Sequence, residues 1–248
     1  STTLLPWRPE SGKVIRMLCD ITLQDGTPFA IDTRKVLKNV VRKAQDEGVE
    51  FRFGSRIEFY LFKTNEFGEP TLTPYDNAGY MDIAPLDKGE NVRREICLTL
   101  ERMGIMPINS HHEAGPGQNQ IDFASGDPVK AADNVITYIT VVKTVAARYG
   151  LCADFSPKPI ENAPGNGFHI NFLASSDGDK NAQSHAIAGI LDHITHDSPD
   201  DLKCTLLEGD IFSREGPIKD SNGTCEHSLN GLLCKALCIY RPSYCHRL

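Results

Sequence analysis

Apolar residues recur along this chain with two spacings, and the switches between them outline the elements. Val14–Ile21 (VIRMLCDI) alternates as a strand does. Gln24-Asp25-Gly26 marks a turn, and residues 27–30 resume extended chain. Asp32 or Thr33 then caps a helix running to about Glu47. Its residues Val36, Leu37, Val40, Val41 and Ala44 share one face, and Gly48 stops it. Phe51–Phe62 (FRFGSRIEFYLF) alternates again, with Gly54 as a candidate bulge. Residues 65–68 (NEFG) read as a turn.

Asn91–Met103 predicts a second amphipathic helix through Val92, Ile96 and Leu100. Ile105–Ile108 and Gln118–Phe123 read as strands. Pro128 suits the first turn of a long helix to Tyr149, ended by Gly150. Leu151–Phe155 and Gly167–Ala174 are strands, and Ala182–Ile194 is a helix. Periodicity fades over Ser198–Leu248. Irregular alternation with short turns predicts an α+β fold with a largely antiparallel sheet, rather than a parallel α/β sheet.

Composition adds exclusions. Of 248 residues, 40% are apolar and 24% charged, as in an ordinary globular chain. The net charge of −7 argues against general nucleic-acid binding. No apolar run approaches the ~20 residues of a membrane span. The opening STTLLPWRPESGK lacks the basic and apolar regions of a signal peptide, so a cytoplasmic setting is expected. The 8 cysteines are uneven. Cys19, Cys97 and Cys152 sit within apolar patterns, whereas Cys204, Cys225, Cys234, Cys238 and Cys245 crowd the tail.

Three residues stand out for chemistry. Glu58 interrupts an apolar and aromatic strand, Glu113 follows two histidines before a glycine-rich turn, and His169 lies in GNGFHINF. Each has an ordinary reading alone: a solvated sheet face, a surface turn, a hydrogen-bonded histidine. Together, on separate strands, they form a donor set that divalent cations accept, oxygen for Mg²⁺ and imidazole as well for Mn²⁺. No Walker A loop, GxGxxG or CxxC pair is present.

The ordered segments CDITLQDGTPF, GSRIEFYLF, HHEAGPGQNQIDF, AADNVITYITVVKTVAARYG, ADFSPKP and GNGFHINF resemble glutamine synthetase, in its bacterial type I-like branch, over roughly residues 1–193. The resemblance implies the end of a β-grasp domain at residues 1–31. The first part of a catalytic domain, a curved antiparallel half-barrel backed by helices, follows at 32–193. Residues 194–248 match nothing in the family, and a frame-shifted or spliced end is the expectation for them. The implied reaction is an ATP-dependent ligation of glutamate and ammonia through γ-glutamyl phosphate, with Mg²⁺ or Mn²⁺. The implied assembly is a homo-oligomeric ring, expected to form poorly with so little of the β-grasp domain.

Position by position, the resemblance assigns Glu58, Glu113 and Gln120 to the first metal, with an amide at 120 in place of a glutamate. It assigns His169 to the second metal, Gly165 to the glutamate substrate and Asn171 to the nucleotide. Arg56 stands where the family has a glutamate ligand, and Pro164 where it has an asparagine. Arg56 is expected to pair with Glu58 or to reach a phosphate oxygen. Two alternatives stand beside the ligase: a γ-glutamyl–amine ligase of the same superfamily, and a non-catalytic truncated relative. The tail also offers a weak zinc pattern (Cys225, His227, Cys234, Cys238) and a sequon at 222–224.

Overall fold

The computed structural model describes residues 2–8, 12–197 and 210–212. The zinc pattern and the sequon lie outside the described residues.

The elements in chain order are β1 (Thr2–Leu4), β2 (Ile15–Met17), α1 (Thr33–Asp46), β3 (Val49–Thr64), β4 (Pro70–Pro74) and α2 (Glu90–Arg102). They continue as β5 (Pro107–His112), β6 (Gln118–Gly126), α3 (Pro128–Arg148), β7 (Leu151–Asp154), β8 (Phe168–Ser176), α4 (Ala182–Asp197) and β9 (Asp210–Phe212). Among the described residues the strand pairs are antiparallel. The main sheet runs β5-β6-β3-β8-β9, with β4 and β7 also on β3. The fold is therefore the expected α+β class, with an open antiparallel sheet and α-helices packed on it.

The 16-residue β3 organises the sheet. Its side chains alternate between two faces. The odd-numbered Phe53, Ile57, Phe59 and Leu61 are buried. Ile57, Phe59 and Leu61 join Val92, Ile96 and Leu100 of α2 and Tyr138, Val142 and Val145 of α3 in one apolar cluster. Phe53 and Phe172 join Leu37, Val40 and Val41 of α1 and Ala186 and Ile190 of α4 in a second. The four α-helices among the described residues thus cover one face of the sheet. The other face is left to the even-numbered Arg56, Glu58 and Tyr60 and their cross-strand partners.

The helix caps follow the local chemistry. Asp32 caps α1, one oxygen accepting from the Arg34 amide at 3.1 Å and the other from the Ile21 amide at 2.9 Å. Asp127 caps α3 with Pro128 in its first turn.

Several boundaries differ from the sequence reading. The strand expected at Val14–Ile21 is only Ile15–Met17, paired with β1, which is too short for a period to register. β4 carries no strand signal in the sequence, because prolines form both ends of its five residues; it holds an edge position where a missing N–H is tolerated. β5 runs through both histidines rather than ending at Ile108. The irregularity expected at Gly54 is present, but the extra residue is on β6, where Phe53 and Ser55 face Gly126 and Phe123. Among the described residues no helix is long and apolar enough to cross a membrane.

One ion-pair network ties the segment before α1 to the helix layer. Arg34 forks onto Asp133 of α3, Nε to Oδ1 and Nη2 to Oδ2, both at 3.0 Å, and also bonds Asp20. Lys38 reaches the same Asp20 at 2.7 Å. The Asp133 side chain is only 6% exposed, so removing Arg34 strands a buried carboxylate. Arg34→Ala is expected to lower unfolding free energy by about 3 kcal/mol in urea titrations. A loss below about 0.5 kcal/mol, the scale of an exposed pair, contradicts this assignment.

Candidate functional site

The strand register assembles the polar face. Glu58 faces Gln120 on β6, Arg56 faces Asp122, and Tyr60 faces Gln118. On the other side Arg56 faces His169 and Gly54 faces Asn171 of β8. On β5, His111 faces Gln120. This single polar row is set among apolar residues of opposite parity.

Glu58 is held on one oxygen. Its Oε2 accepts from Gln118 Nε2 and from the Gly167 amide, both at 2.8 Å. Its Oε1 lies 3.8 Å from His169 Nε2. Only a residue without a side chain fits at 167. A Cβ there would lie 2.4 Å from His169 Nε2 and 2.7 Å from Glu58 Oε1.

The histidine pair before Glu113 divides between the two faces, as alternation requires. His111 points to the polar face, where its Nε2 donates to Glu113 Oε1 at 2.9 Å. Its buried Nδ1 has no hydrogen-bond partner among the described residues. Burial pushes the Glu113 carboxyl up, and the Glu58 charge pushes it further, with His111 opposing both. A carboxylate on β3 and one from the residue after β5 thus share one half-buried locus.

His112 points inward. Its Nδ1 bonds the Glu113 carbonyl oxygen at 2.6 Å and its Nε2 bonds Asp76 Oδ1 at 2.9 Å. Both partners are acceptors, so the ring carries both protons. Asp76 Oδ1 also accepts from the Gly117 amide at 3.0 Å, and Oδ2 from the Lys88 amide at 3.0 Å. Gly117 has φ +70°, and a Cβ on it would meet the Leu61 carbonyl at 2.8 Å, so the turn after Glu113 requires glycine.

Asp76, Asp87 and His112 offer ligand-type atoms within 4.8 Å of one another. Those atoms are already engaged, however. Arg93 forks onto Asp87 at 3.1 and 2.6 Å, and Arg93 Nη1 also donates to Asn119 at 2.6 Å. Two cationic side chains balance two carboxylates, which makes a buried brace rather than a metal pocket.

The remaining residues divide. Gln120 lies between Glu58 and His111 in the register, but its Nε2 donates to Asp122 Oδ1 at 2.9 Å. Burial raises the Asp122 carboxyl, while Asn109, Arg56, His111 and Gln120 draw it back. Gly165 joins the locus through its carbonyl, which accepts from Gln118 at 2.9 Å. The Tyr60 hydroxyl fastens the same loop at the Pro164 carbonyl, 2.6 Å away. Asn171 lies farther along β8, and its buried Oδ1 has no hydrogen-bond partner among the described residues.

Sequence reasoning missed Gln118 and Asp76. For Gln118 a signal was present: it is two residues from Gln120, on the same strand face. Asp76 sits in a loop (YDNAG) with no periodic pattern to mark it.

The family model described as the glutamine synthetase catalytic domain matches residues 30–196. A glutamine synthetase of Clostridium saccharobutylicum is 46% identical over 206 residues, covering 78% of this chain and 46% of its own. One of Staphylococcus epidermidis is 49% identical over 169 residues, covering 68% and 38%. The chain thus spans less than half the length of these relatives. Among solved structures, a GmaS/ADP complex aligns with TM-score 0.64 at 28% identity, covering 76% of this chain and 46% of that one. A Plasmodium falciparum glutamine synthetase aligns with TM-score 0.70 at 17% identity, covering 96% and 60%, which speaks to the fold alone.

The buried His112–Asp76 pair makes stability pH-dependent. Burial opposes the His112 charge, but Asp76 and the Glu113 carbonyl raise its pKa above the ordinary 6.5. Burial likewise opposes the Asp76 charge, but His112 and two backbone amides hold its pKa below the ordinary 3.8. A raised histidine contributes fully below its unfolded pKa and is lost as pH rises through its folded one. A lowered aspartate contributes above its unfolded pKa and is lost as pH falls through its folded one. The pair therefore contributes most between 3.8 and 6.5. Unfolding free energy of His112→Gln, measured by urea titration, should fall furthest below the parent's in that window, with the gap narrowing as pH rises above it. A gap that widens with rising pH contradicts the pairing.

Proposed function

The chain belongs to the glutamine synthetase family, an ATP-dependent ligase family that uses divalent metals, and from that premise we propose that it ligates glutamate and ammonia through γ-glutamyl phosphate. In that reaction a γ-carboxylate oxygen of glutamate bonds to the γ-phosphorus of ATP and the bridging bond to ADP breaks. Ammonia then bonds to the acyl carbon, phosphate leaves with the acyl–oxygen pair of electrons, and the ammonium proton is lost to solvent. Phosphorylation makes a poor acyl acceptor reactive.

The observation that carries this reading is the shared locus of Glu58 and Glu113. Burial and, after it, the Glu58 charge push the Glu113 carboxyl up, and a divalent cation between the two carboxylates would offset both. The donor set therefore fits one Mg²⁺ or Mn²⁺, held by Glu58 Oε1 and Glu113. Gln120 can add its Oε1, since its amide nitrogen is committed to Asp122. Such an ion supplies electrostatic stabilisation of phosphoryl oxygens. The second family position does not fit. A guanidinium at 56, flanked in register by Asp122 and His169, brings positive charge where a carboxylate ligand belongs.

In this reading Arg56 meets phosphate oxygens directly, and His169 lies beside it as a phosphate-side residue. The Gly165 loop receives glutamate, with its N–H the group left for substrate because its carbonyl is held by Gln118. The buried Asn171 Oδ1 accepts from a nucleotide donor. A cytoplasmic setting accompanies the reading; the homo-oligomeric ring belongs to the family, and this chain is expected to form it poorly.

The test is ADP release in a coupled assay with ATP, Mg²⁺ and glutamate, plus either ammonia or a panel of primary amines. Ammonia-dependent ADP release that is lost in Glu58→Gln is expected, by 10²-fold or more if the carboxylate holds the transferring group's counter-charge (roughly the cost of one preorganised electrostatic contact). Release with an amine alone assigns the γ-glutamyl–amine ligase instead. No release with any acceptor contradicts the ligase reading.

A further inference from the structure

We infer that Gln118 is a positioning residue that couples the cation held at Glu58 to the glycine loop of residues 164–167, and so to the small carboxylate substrate received there. The inference rests on the proposed function above.

Gln118 is 1% exposed, and every polar atom of its side chain is engaged. Its partners fix the direction of the amide. The Gly115 N–H can only donate, so Oε1 faces it, at 2.9 Å. Glu58 Oε2 and the Gly165 carbonyl can only accept, so Nε2 faces them, at 2.8 and 2.9 Å. One planar amide therefore spans three segments: the glycine turn after Glu113, the Glu58 carboxylate, and the glycine loop.

The consequence for Glu58 is geometric. Oε2 holds two donors, from Gln118 and Gly167, and Oε1 is the oxygen turned toward His169. The consequence for the loop is that its position depends on Glu58. Pro164 is fastened to Tyr60, and the Asn166 side chain to the Asp154 and Ser156 carbonyls at 3.1 and 2.9 Å. Gly165 between them takes its side-chain bond from Gln118. A change in the Glu58 carboxylate on cation binding therefore reaches the Gly165 peptide through one rigid amide. Only an amide serves, because two acceptors on one side and one donor on the other require both hydrogens and an oxygen. A glutamate would face two acceptors with none to donate, and a methionine keeps the shape without polar atoms.

The experiment titrates the full chain with Mn²⁺ by calorimetry, with and without saturating L-glutamate, for the parent, Gln118→Met and Gln118→Glu. Circular dichroism melts confirm that each variant is folded. In the parent, glutamate should tighten Mn²⁺ binding about fivefold or more, the low end of ordinary coupling between sites. In Gln118→Met, Mn²⁺ affinity should fall about tenfold, as for loss of an outer partner of a ligand, and the tightening by glutamate should vanish. A folded Gln118→Met that keeps both the parental affinity and the tightening overturns the inference. If Gln118→Met does not fold, Gln118→Glu decides in the same way, since it retains the acceptor for Gly115. A parent that binds no Mn²⁺ overturns the cation reading and this inference together, before any variant is compared.

Discussion

Two negative charges on adjacent parts of one sheet face are the constraint around which this molecule is arranged. Burial resists the ionisation of Glu113, and the nearby Glu58 charge adds to the resistance. Nothing in apolar packing favours such a pair, so the surrounding residues have to hold it. Glu58 is fixed by Gln118 and Gly167. Glu113 is fixed at its side chain by His111 and at its carbonyl by His112, which is itself buried against Asp76. The glycines at 117 and 167 are where backbone must pass too close for a side chain. The α-helices contribute by occupying the opposite face so fully that polar residues of the sheet have one direction to go.

The same face shows what surrounds Gln120 and Arg56. Neither carries negative charge. Gln120 turns its nitrogen to Asp122, which lies beside Arg56 in register. Arg56 lies between Asp122 and His169. The face therefore grades from acidic near Glu58 and Glu113 to mixed near Arg56. The acidic end suits a cation and the mixed end an anionic group.

The long elements were legible because their patterns are long. The apolar stripes of α1, α2 and α3, and the alternation of β3, gave both element type and buried face. Glu58, Glu113 and His169 were legible as candidates from residue type and placement, and the matching segments assigned them roles. What sequence reading could not reach was set by long-range contact. Asp76 acts through His112, thirty-six positions away along the chain. Gln118 acts through Glu58 and Gly165, which only strand register brings together. Arg34 forks onto Asp133 from another helix. Short strands were lost for a simpler reason, since the three residues of β1, or the five of β4 that begin and end with proline, carry no measurable period.

The central claim is that this face holds one divalent cation, between Glu58 and Glu113, and that Arg56 closes the second position. The most direct measurement is the number of Mn²⁺ ions bound per chain, by electron paramagnetic resonance of free Mn²⁺ during titration. The account predicts one ion per chain for the parent and a second for the Arg56→Glu/Gln120→Glu double variant. Two ions on the parent, or none on either protein, would contradict it.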